Sequence, residues 1–230
     1  MTDSREVRQL EIPPNLEIPP GFRIPRNLGN QERLAATTDK LTEKVRTLAR
    51  PKAVYTTAGV ECTDRDHVII SGIEFTSRIL NKKLCERDTV YPFIITIGKE
   101  LDDFHTPPGE MWQSFILDSL KTLVLISSVR YVTEHIMKEF NLSEVASMNP
   151  GELKDWPLDQ QLPLFQLFRG KEKNIGVSVS KGGAMRPLKS RSGIVFEDST
   201  GFVSCRCCNQ SNCPGRRAAY NPALVEEYMN

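Results

Sequence analysis

The feature that most constrains the fold is residues 111–140, where apolar side chains recur with the period of an α-helix. No charged residue interrupts 123–129, but charged residues stand at both ends of the run. The apolar part is therefore too short and too charged at its ends to span a membrane. The pattern predicts one long helix in the core of the protein.

Shorter periodic segments flank this helix. Helices are predicted where apolar residues repeat every three or four positions, at 34–48, 73–84, 157–168 and 222–229. Strands are predicted where strand-forming residues cluster, at 53–55, 68–70, 90–97, 175–179 and 194–196, with 202–203 returning after a hairpin turn at 198–201. Helices come first and strands later, which indicates the α+β class, with the long helix packed on an antiparallel or mixed sheet.

A proline-rich segment precedes this domain. The pairs Ile12-Pro13, Ile18-Pro19 and Ile24-Pro25 recur every six residues. Proline at this density disfavours helix and favours an extended chain, and the regular isoleucines suit an arm laid along a surface. We therefore expect three parts: an arm at 1–30, an α+β domain at 31–204 and a cysteine-rich loop with a short helix at 205–230.

Composition limits the partners. The 230 residues carry a net charge of +1, and aromatic residues make up only 7% of them, so neither a basic face nor a stacking platform for nucleic acid is expected. The N-terminus lacks an apolar signal core, and no stretch is long enough for a membrane span. The sequence therefore predicts a cytoplasmic protein in a reducing compartment, where thiolates can bind metals.

Four of the six cysteines lie close together near the C-terminus, at Cys205, Cys207, Cys208 and Cys213. The other two, Cys62 and Cys85, stand alone, which does not indicate a disulfide framework. The two-residue spacing between Cys205 and Cys208 lets two thiolates converge on one centre, with Cys213 as a third ligand. The spacing and the Cys213-Pro214 pair favour a [4Fe-4S] cluster over zinc, and free or redox-active thiols are the third alternative. The fourth ligand is either Cys207 or one of the two isolated cysteines.

An ordered set of residues carries a family resemblance. It runs through Pro150-Gly151, Trp156-Pro157-Leu158, Gln161, Leu164-Phe165, Leu167, Ile175-Gly176-Val177, and Met185, Pro187, Lys189-Ser190, Ser192-Gly193-Ile194. This set resembles the activation (reactivation) domain of cobalamin-dependent methionine synthase. The resemblance implies an α+β domain that docks on a corrinoid-binding domain. It also implies a role in returning cob(II)alamin to the methylated form, by one-electron reduction trapped with S-adenosylmethionine.

The resemblance also implies a ligand site and one departure from it. The candidate cofactor-binding positions are Asn149, Pro150, Gly151, Glu152, Lys189, Ser190, Ser192, Gly193 and Val203. The family's S-adenosylmethionine signature, Arg-x-x-x-Gly-Tyr, is matched here by Ser147, Gly151 and Glu152, so only the glycine is kept. A carboxylate at Glu152 would repel the carboxylate of the ligand, which makes S-adenosylmethionine binding in the usual mode doubtful.

Two main hypotheses follow. The first is an accessory or activator protein of a corrinoid-dependent methyltransferase such as methionine synthase, whose iron-sulfur cluster carries the electron. Such a protein is a redox component of an enzyme system and has a corrinoid-binding methyltransferase protein and an electron donor protein as partners. The alternative is a non-catalytic corrinoid-protein binding module in which zinc or an iron-sulfur cluster staples the loop. A third possibility is an S-adenosylmethionine-dependent methyl donor complex with altered contacts.

Overall fold

A computed structural model describes residues 6–14, 31–213 and 215–229, with side chains described from Leu34 onward in the first helix. The strands are β1 (Arg8–Glu11), β2 (Lys52–Tyr55), β3 (Ala58–Cys62), β4 (His67–Ile70), β5 (Ile73–Thr76), β6 (Thr89–Thr96), β7 (Val145–Met148), β8 (Ser178–Val179), β9 (Met185–Arg186) and β10 (Ser190–Glu197). The α-helices are α1 (Gln31–Leu48), α2 (Arg78–Leu84), α3 (Lys99–Asp102), α4 (Met111–Glu139), α5 (Gln161–Gln166) and α6 (Pro222–Met229). Short 3-10 helices cover Leu158–Gln160, Lys171–Ile175 and Ser204–Cys207.

The long core helix is confirmed as α4. Its buried side chains recur every three or four residues, because that spacing keeps them on one face. In the first half they join α1 and Ile97 in one apolar cluster, through Ile116, Leu117, Leu120, Leu123 and Val124. In the second half Val132 and Ile136 pack on the sheet beside Tyr55 and Phe93. Among the described helices, none is long and apolar enough to cross a membrane.

The sheet is built around β6, whose residues are almost all buried. On one side β6 pairs with β2 and, further along, with β3, and on the other side it pairs with β10. β10 pairs in turn with β7, and β1 pairs with β2. These pairings are all antiparallel, as are those of the β3–β4–β5 meander. The predicted α+β class with a helix packed on an antiparallel sheet is therefore confirmed.

The N-terminal segment contributes more than a surface arm. Arg8–Glu11 forms the strand β1 beside β2, and Ile12, which follows it, is buried. The second and third isoleucine-proline pairs lie outside the described residues. The extended conformation is thus found in 8–11, where the backbone hydrogen bonds go to the sheet.

Several predicted boundaries were wrong for local reasons. The helix predicted over 73–84 is strand β5 followed by α2, because the Ser77 hydroxyl accepts a hydrogen bond from the Leu80 amide and starts the helix there. The helix predicted over 157–168 is a 3-10 turn followed by α5. The strand predicted over 175–179 shrinks to β8, because Gly176 adopts a positive φ after the 3-10 helix. Residues 202–203 form no strand and lead into the 3-10 helix Ser204–Cys207.

The two isolated cysteines are paired, which corrects the sequence expectation. Cys62 at the end of β3 and Cys85 at the end of α2 form a disulfide, with their Cα atoms 5.6 Å apart. Both residues are exposed. The meander folds α2 back towards β3, a proximity that sequence spacing alone does not show. Neither cysteine is available as the fourth metal ligand in this structure.

Candidate functional site

The turn Asn149–Glu152, here called the signature turn, leaves the end of β7 and lies against β10. Its shape depends on Gly151, whose φ is +85°, and on a hydrogen bond from the Gly151 amide to the Trp156 carbonyl (2.8 Å). Gly193 on β10 permits the close approach, because a Cβ there would lie 2.6 Å from the Met148 carbonyl oxygen. The structure therefore brings together five of the predicted ligand-binding residues: Asn149, Pro150, Gly151, Glu152 and Gly193.

A charge network fixes the side chain of Glu152. The Arg191 guanidinium donates from Nη2 to Glu152 and from Nε to Asn149 Oδ1 (3.2 Å). The other oxygen of Glu152 accepts a hydrogen bond from the Ser204 hydroxyl (3.0 Å). Glu152 is thus neutralised by Arg191 and ties the signature turn to the start of the cysteine-rich segment. Sequence reasoning missed Arg191, although its position between Ser190 and Ser192 placed it inside the resemblance.

The remaining predicted ligand residues make contacts with the protein itself. The Ser192 hydroxyl donates to Gln161, whose amide donates to the Gly183 carbonyl (2.8 Å). The Ser190 hydroxyl donates to the Pro187 carbonyl (2.7 Å) within its own turn. Both serines therefore form hydrogen bonds within the protein in this structure.

Lys189 and Val203 are the two remaining predicted ligand-binding residues. The Lys189 ammonium donates to Asp118 and Thr122 on α4, at 3.0 Å each. Val203 is half-buried and immediately precedes Ser204. In the described part of the chain, the buried Asn149 Nδ2 donor has no acceptor, so the signature turn has one unused donor.

The cysteine-rich loop, residues 205–213, is organised by Arg216. Its guanidinium donates from Nη1 to the carbonyls of Cys205 (3.2 Å) and Ala218 (3.0 Å), and from Nη2 to those of Cys208 (2.9 Å) and Gln210. Four main-chain carbonyls thus converge on one guanidinium, which acts as the centre of the loop.

The four free thiols lie in different surroundings. Cys207 and Cys208 pack against an apolar cluster that includes Phe75, Trp156 and Phe202. Burial raises the pKa of Cys207 to about 11, although Lys83 acts in the opposite direction. Cys205 Sγ lies 3.5 Å from the Arg217 amide nitrogen, and Cys213 is exposed. No three His, Cys, Asp or Glu side chains of the described residues are grouped as metal ligands. A metal ligand must be a thiolate, whereas half-buried Cys207 has a raised pKa, so binding a cluster would require this side chain to leave its present surroundings.

The Arg216 contacts predict a measurable effect on thiol exposure. Replacing Arg216 by Gln removes a charged donor from four carbonyls, so loop opening should become easier by about 2 kcal/mol. The rate at which a disulfide reagent labels Cys207 should then rise about 30-fold. The neighbouring Arg217→Gln is the matched control and should leave that rate unchanged. Equal labelling rates in the two variants would contradict a central role for Arg216.

Comparison with known proteins supports the fold. No family model and no curated protein matches the chain. Among solved structures, the reactivation domain of MetH bound to AdoHcy is similar, with a TM-score of 0.63 and 13% sequence identity. The match covers 86% of this chain and 81% of that one. The chain therefore shares the fold of a MetH reactivation domain, as the resemblance in its sequence implied.

Proposed function

We propose that this protein is an accessory protein of a corrinoid-dependent methyltransferase such as methionine synthase, and that it docks on the corrinoid-binding protein. The observation that carries the proposal is the reactivation-domain fold over 86% of the chain. The predicted ligand site adds support, because Glu152, Arg191 and Ser204 join the signature turn, β10 and the start of the cysteine-rich loop there.

Docking makes a direct test possible. Purified protein should form a complex with a corrinoid-binding methyltransferase domain loaded with cob(II)alamin, detected by sedimentation and by a change in the visible spectrum of the corrinoid. Reductive methylation of that domain should be faster with the protein than without it. If neither a complex nor a spectral change forms at micromolar concentrations, the proposed function is wrong.

A finer hypothesis assigns the electron to the cysteine-rich loop. The spacing of Cys205, Cys207, Cys208 and Cys213 supports a [4Fe-4S] cluster, which when bound would supply a low-potential electron. Binding requires Cys207 to leave its apolar surroundings. Anaerobically purified protein should then contain iron and sulfide. One zinc per chain would instead favour a binding module in which the metal only stabilises the loop.

The Cys208→Ser variant separates these two roles. A redox activator should lose acceleration of cob(II)alamin reduction while keeping its affinity for the corrinoid protein. A binding module with a stapled loop should lose thermal stability first and keep whatever rate effect docking alone provides. Cys213→Ala, a further change within the proposed ligand set, should reproduce the result of Cys208→Ser if both bind the metal.

The site also predicts weak binding of S-adenosylmethionine and a way to increase it. Arg191 is already paired with Glu152, and Ser147 cannot supply the missing guanidinium. AdoHcy and S-adenosylmethionine should therefore bind poorly. The double variant Ser147→Arg/Glu152→Tyr restores the family signature and should improve affinity at least tenfold, about 1.4 kcal/mol. Calorimetry measures the change, and Glu152→Gln serves as the control that removes the charge without adding the guanidinium. If the original protein binds S-adenosylmethionine as tightly as the double variant does, this account of the ligand site is wrong.

A further inference from the structure

We propose that the helix α6 is a latch that limits access to Cys207 in the cysteine-rich loop. While α6 is docked, Cys207 lies half-buried against an apolar cluster. When α6 detaches, the thiol becomes more open to small molecules and metal ions, while the rest of the domain stays folded. This proposal concerns access to the thiol alone, so it does not depend on a corrinoid partner or on the identity of any metal.

The helix α6 is attached to the surface of the domain and is not built into its core. In the described structure, none of the eight residues of α6 is buried. Helices shorter than about a dozen residues are unstable alone in water, so α6 depends on the contacts that hold it to the domain. Loss of those contacts would release α6 and unfold it without unfolding the core, which is local unfolding.

Hydrogen bonds hold both ends of α6. The amide of Asn221, just before the helix, donates to the Arg206 carbonyl (2.8 Å). At the other end, the side chains of Arg78 and Lys82 donate to carbonyls in the last turn of α6, both at 2.9 Å. These two cations come from α2 and complement the negative end of the α6 dipole. Both contacts are exposed to solvent, where a hydrogen bond contributes only modestly to stability.

Tyr228 provides an apolar contact between α6 and the domain. Its ring centre lies 6.1 Å from that of Phe202 and 5.2 Å from Lys83 Nζ. The same ammonium lies 4.7 Å from the centre of the Phe202 ring, so it faces both rings. Removing the Tyr228 ring would therefore remove an aromatic contact and a cation–π contact together.

Cys207 lies beside these contacts. The helix α6 lies against the 3-10 helix Ser204–Cys207, and the Arg206 carbonyl that holds α6 belongs to the residue before Cys207. Cys207 and Tyr228 pack against the same apolar cluster. Lys83 is close enough to Cys207 for its charge to act on the pKa of that thiol. Detachment of α6 therefore uncovers the surface on which Cys207 packs.

Labelling of Cys207 tests the latch. Unreduced protein in EDTA is treated with iodoacetamide, and peptide mass spectrometry gives the rate for Cys207 and, as an internal reference, for the exposed Cys213. Tyr228→Ala should raise the Cys207 rate about tenfold and leave the Cys213 rate unchanged. Tyr228→Phe keeps the ring and is the matched control, so it should label at the original rate. Lys82→Met, at an exposed position, should raise the Cys207 rate about threefold.

Two further measurements show whether the opening is local. The α6 amides should exchange hydrogen about tenfold faster in Tyr228→Ala, because exchange and labelling report the same opening. The Cys207 rate should change little with urea below the unfolding transition, since detachment of one short helix exposes little surface. A Cys207 rate that rises steeply with urea would overturn the proposal. An unchanged Cys207 rate in both Tyr228→Ala and Lys82→Met would overturn it as well.

Discussion

Replacing Asp198 by Ala is expected to destabilise the protein by about 3–5 kcal/mol, because the change leaves the buried Lys83 and the half-buried Arg87 without their counter-ion. The Asp198 side chain is fully buried, with Lys83 Nζ at 3.6 Å and Arg87 Nη2 at 3.3 Å. It also accepts hydrogen bonds from the Thr200 hydroxyl (2.8 Å) and the Phe202 amide (2.9 Å). Urea unfolding followed by far-ultraviolet circular dichroism measures the loss.

The same residue links folding to the C-terminal region. Lys83 Nζ lies 4.7 Å from the centre of the Phe202 ring and 5.2 Å from that of Tyr228 on α6. When Asp198 is absent, repulsion between Lys83 and Arg87 should therefore loosen the entry to the cysteine-rich loop as well as α6. Asp103→Ala removes an exposed partner of Lys99 and serves as the control, with no measurable change expected. Equal stability of the two variants would show that the buried network contributes little.

Acid titration gives an independent check. Burial acts to raise the pKa of Asp198, but the Phe202 amide, the Thr200 hydroxyl, Lys83 and Arg87 outweigh it and hold the pKa below its ordinary value. The stabilisation is therefore complete above the unfolded-state pKa of about 3.9 and is lost as the pH falls through the lower folded-state value. The difference in stability between the original protein and Asp198→Asn should shrink below about pH 4. A difference that stays constant down to pH 2 would contradict this assignment.

Periodicity predicted the parts of the fold that are long or strongly apolar. The helix α4 and the strand β6 follow from local patterns, since each buries one continuous set of side chains. The strands β3 and β7 were not predicted, because short sequences such as Ala58–Cys62 and Val145–Met148 become strands only through pairing with β6 and β10. Tertiary pairing decides such segments, and local propensity carries little information about them.

The site shows the same division between local and long-range information. The signature turn lies beside Gly193, so two segments that the resemblance assigned to one site are neighbours in the fold. The predicted repulsion between Glu152 and the ligand carboxylate did not take Arg191 into account. Arg191 lies 39 residues away in sequence and neutralises the Glu152 carboxylate. The role of Arg216 was equally hidden, because its acceptors are main-chain carbonyls, which no side-chain pattern reports.

Loss of the Cys62–Cys85 disulfide is expected to cost about 3 kcal/mol, since the bond closes a loop with a sequence separation of 23 and so restricts the unfolded chain. The double variant Cys62→Ser/Cys85→Ser should therefore unfold at lower urea concentration than the original protein under oxidising conditions. Its native fold should persist, because Ile79, Leu80 and Leu84 keep α2 in the core.

Reduction of the original protein should reproduce the effect of the double variant, since both remove the same covalent link. The variant itself should be insensitive to dithiothreitol. This pairing separates the disulfide from the four loop thiols, whose chemistry the reductant also affects. The shift in the urea midpoint also gives the stability that the protein would lose in a reducing compartment. This follows because the bond is exposed to solvent and accessible to thiols. If dithiothreitol lowers the stability of the double variant as much as that of the original protein, the effect belongs to the loop cysteines and the disulfide does not stabilise the domain.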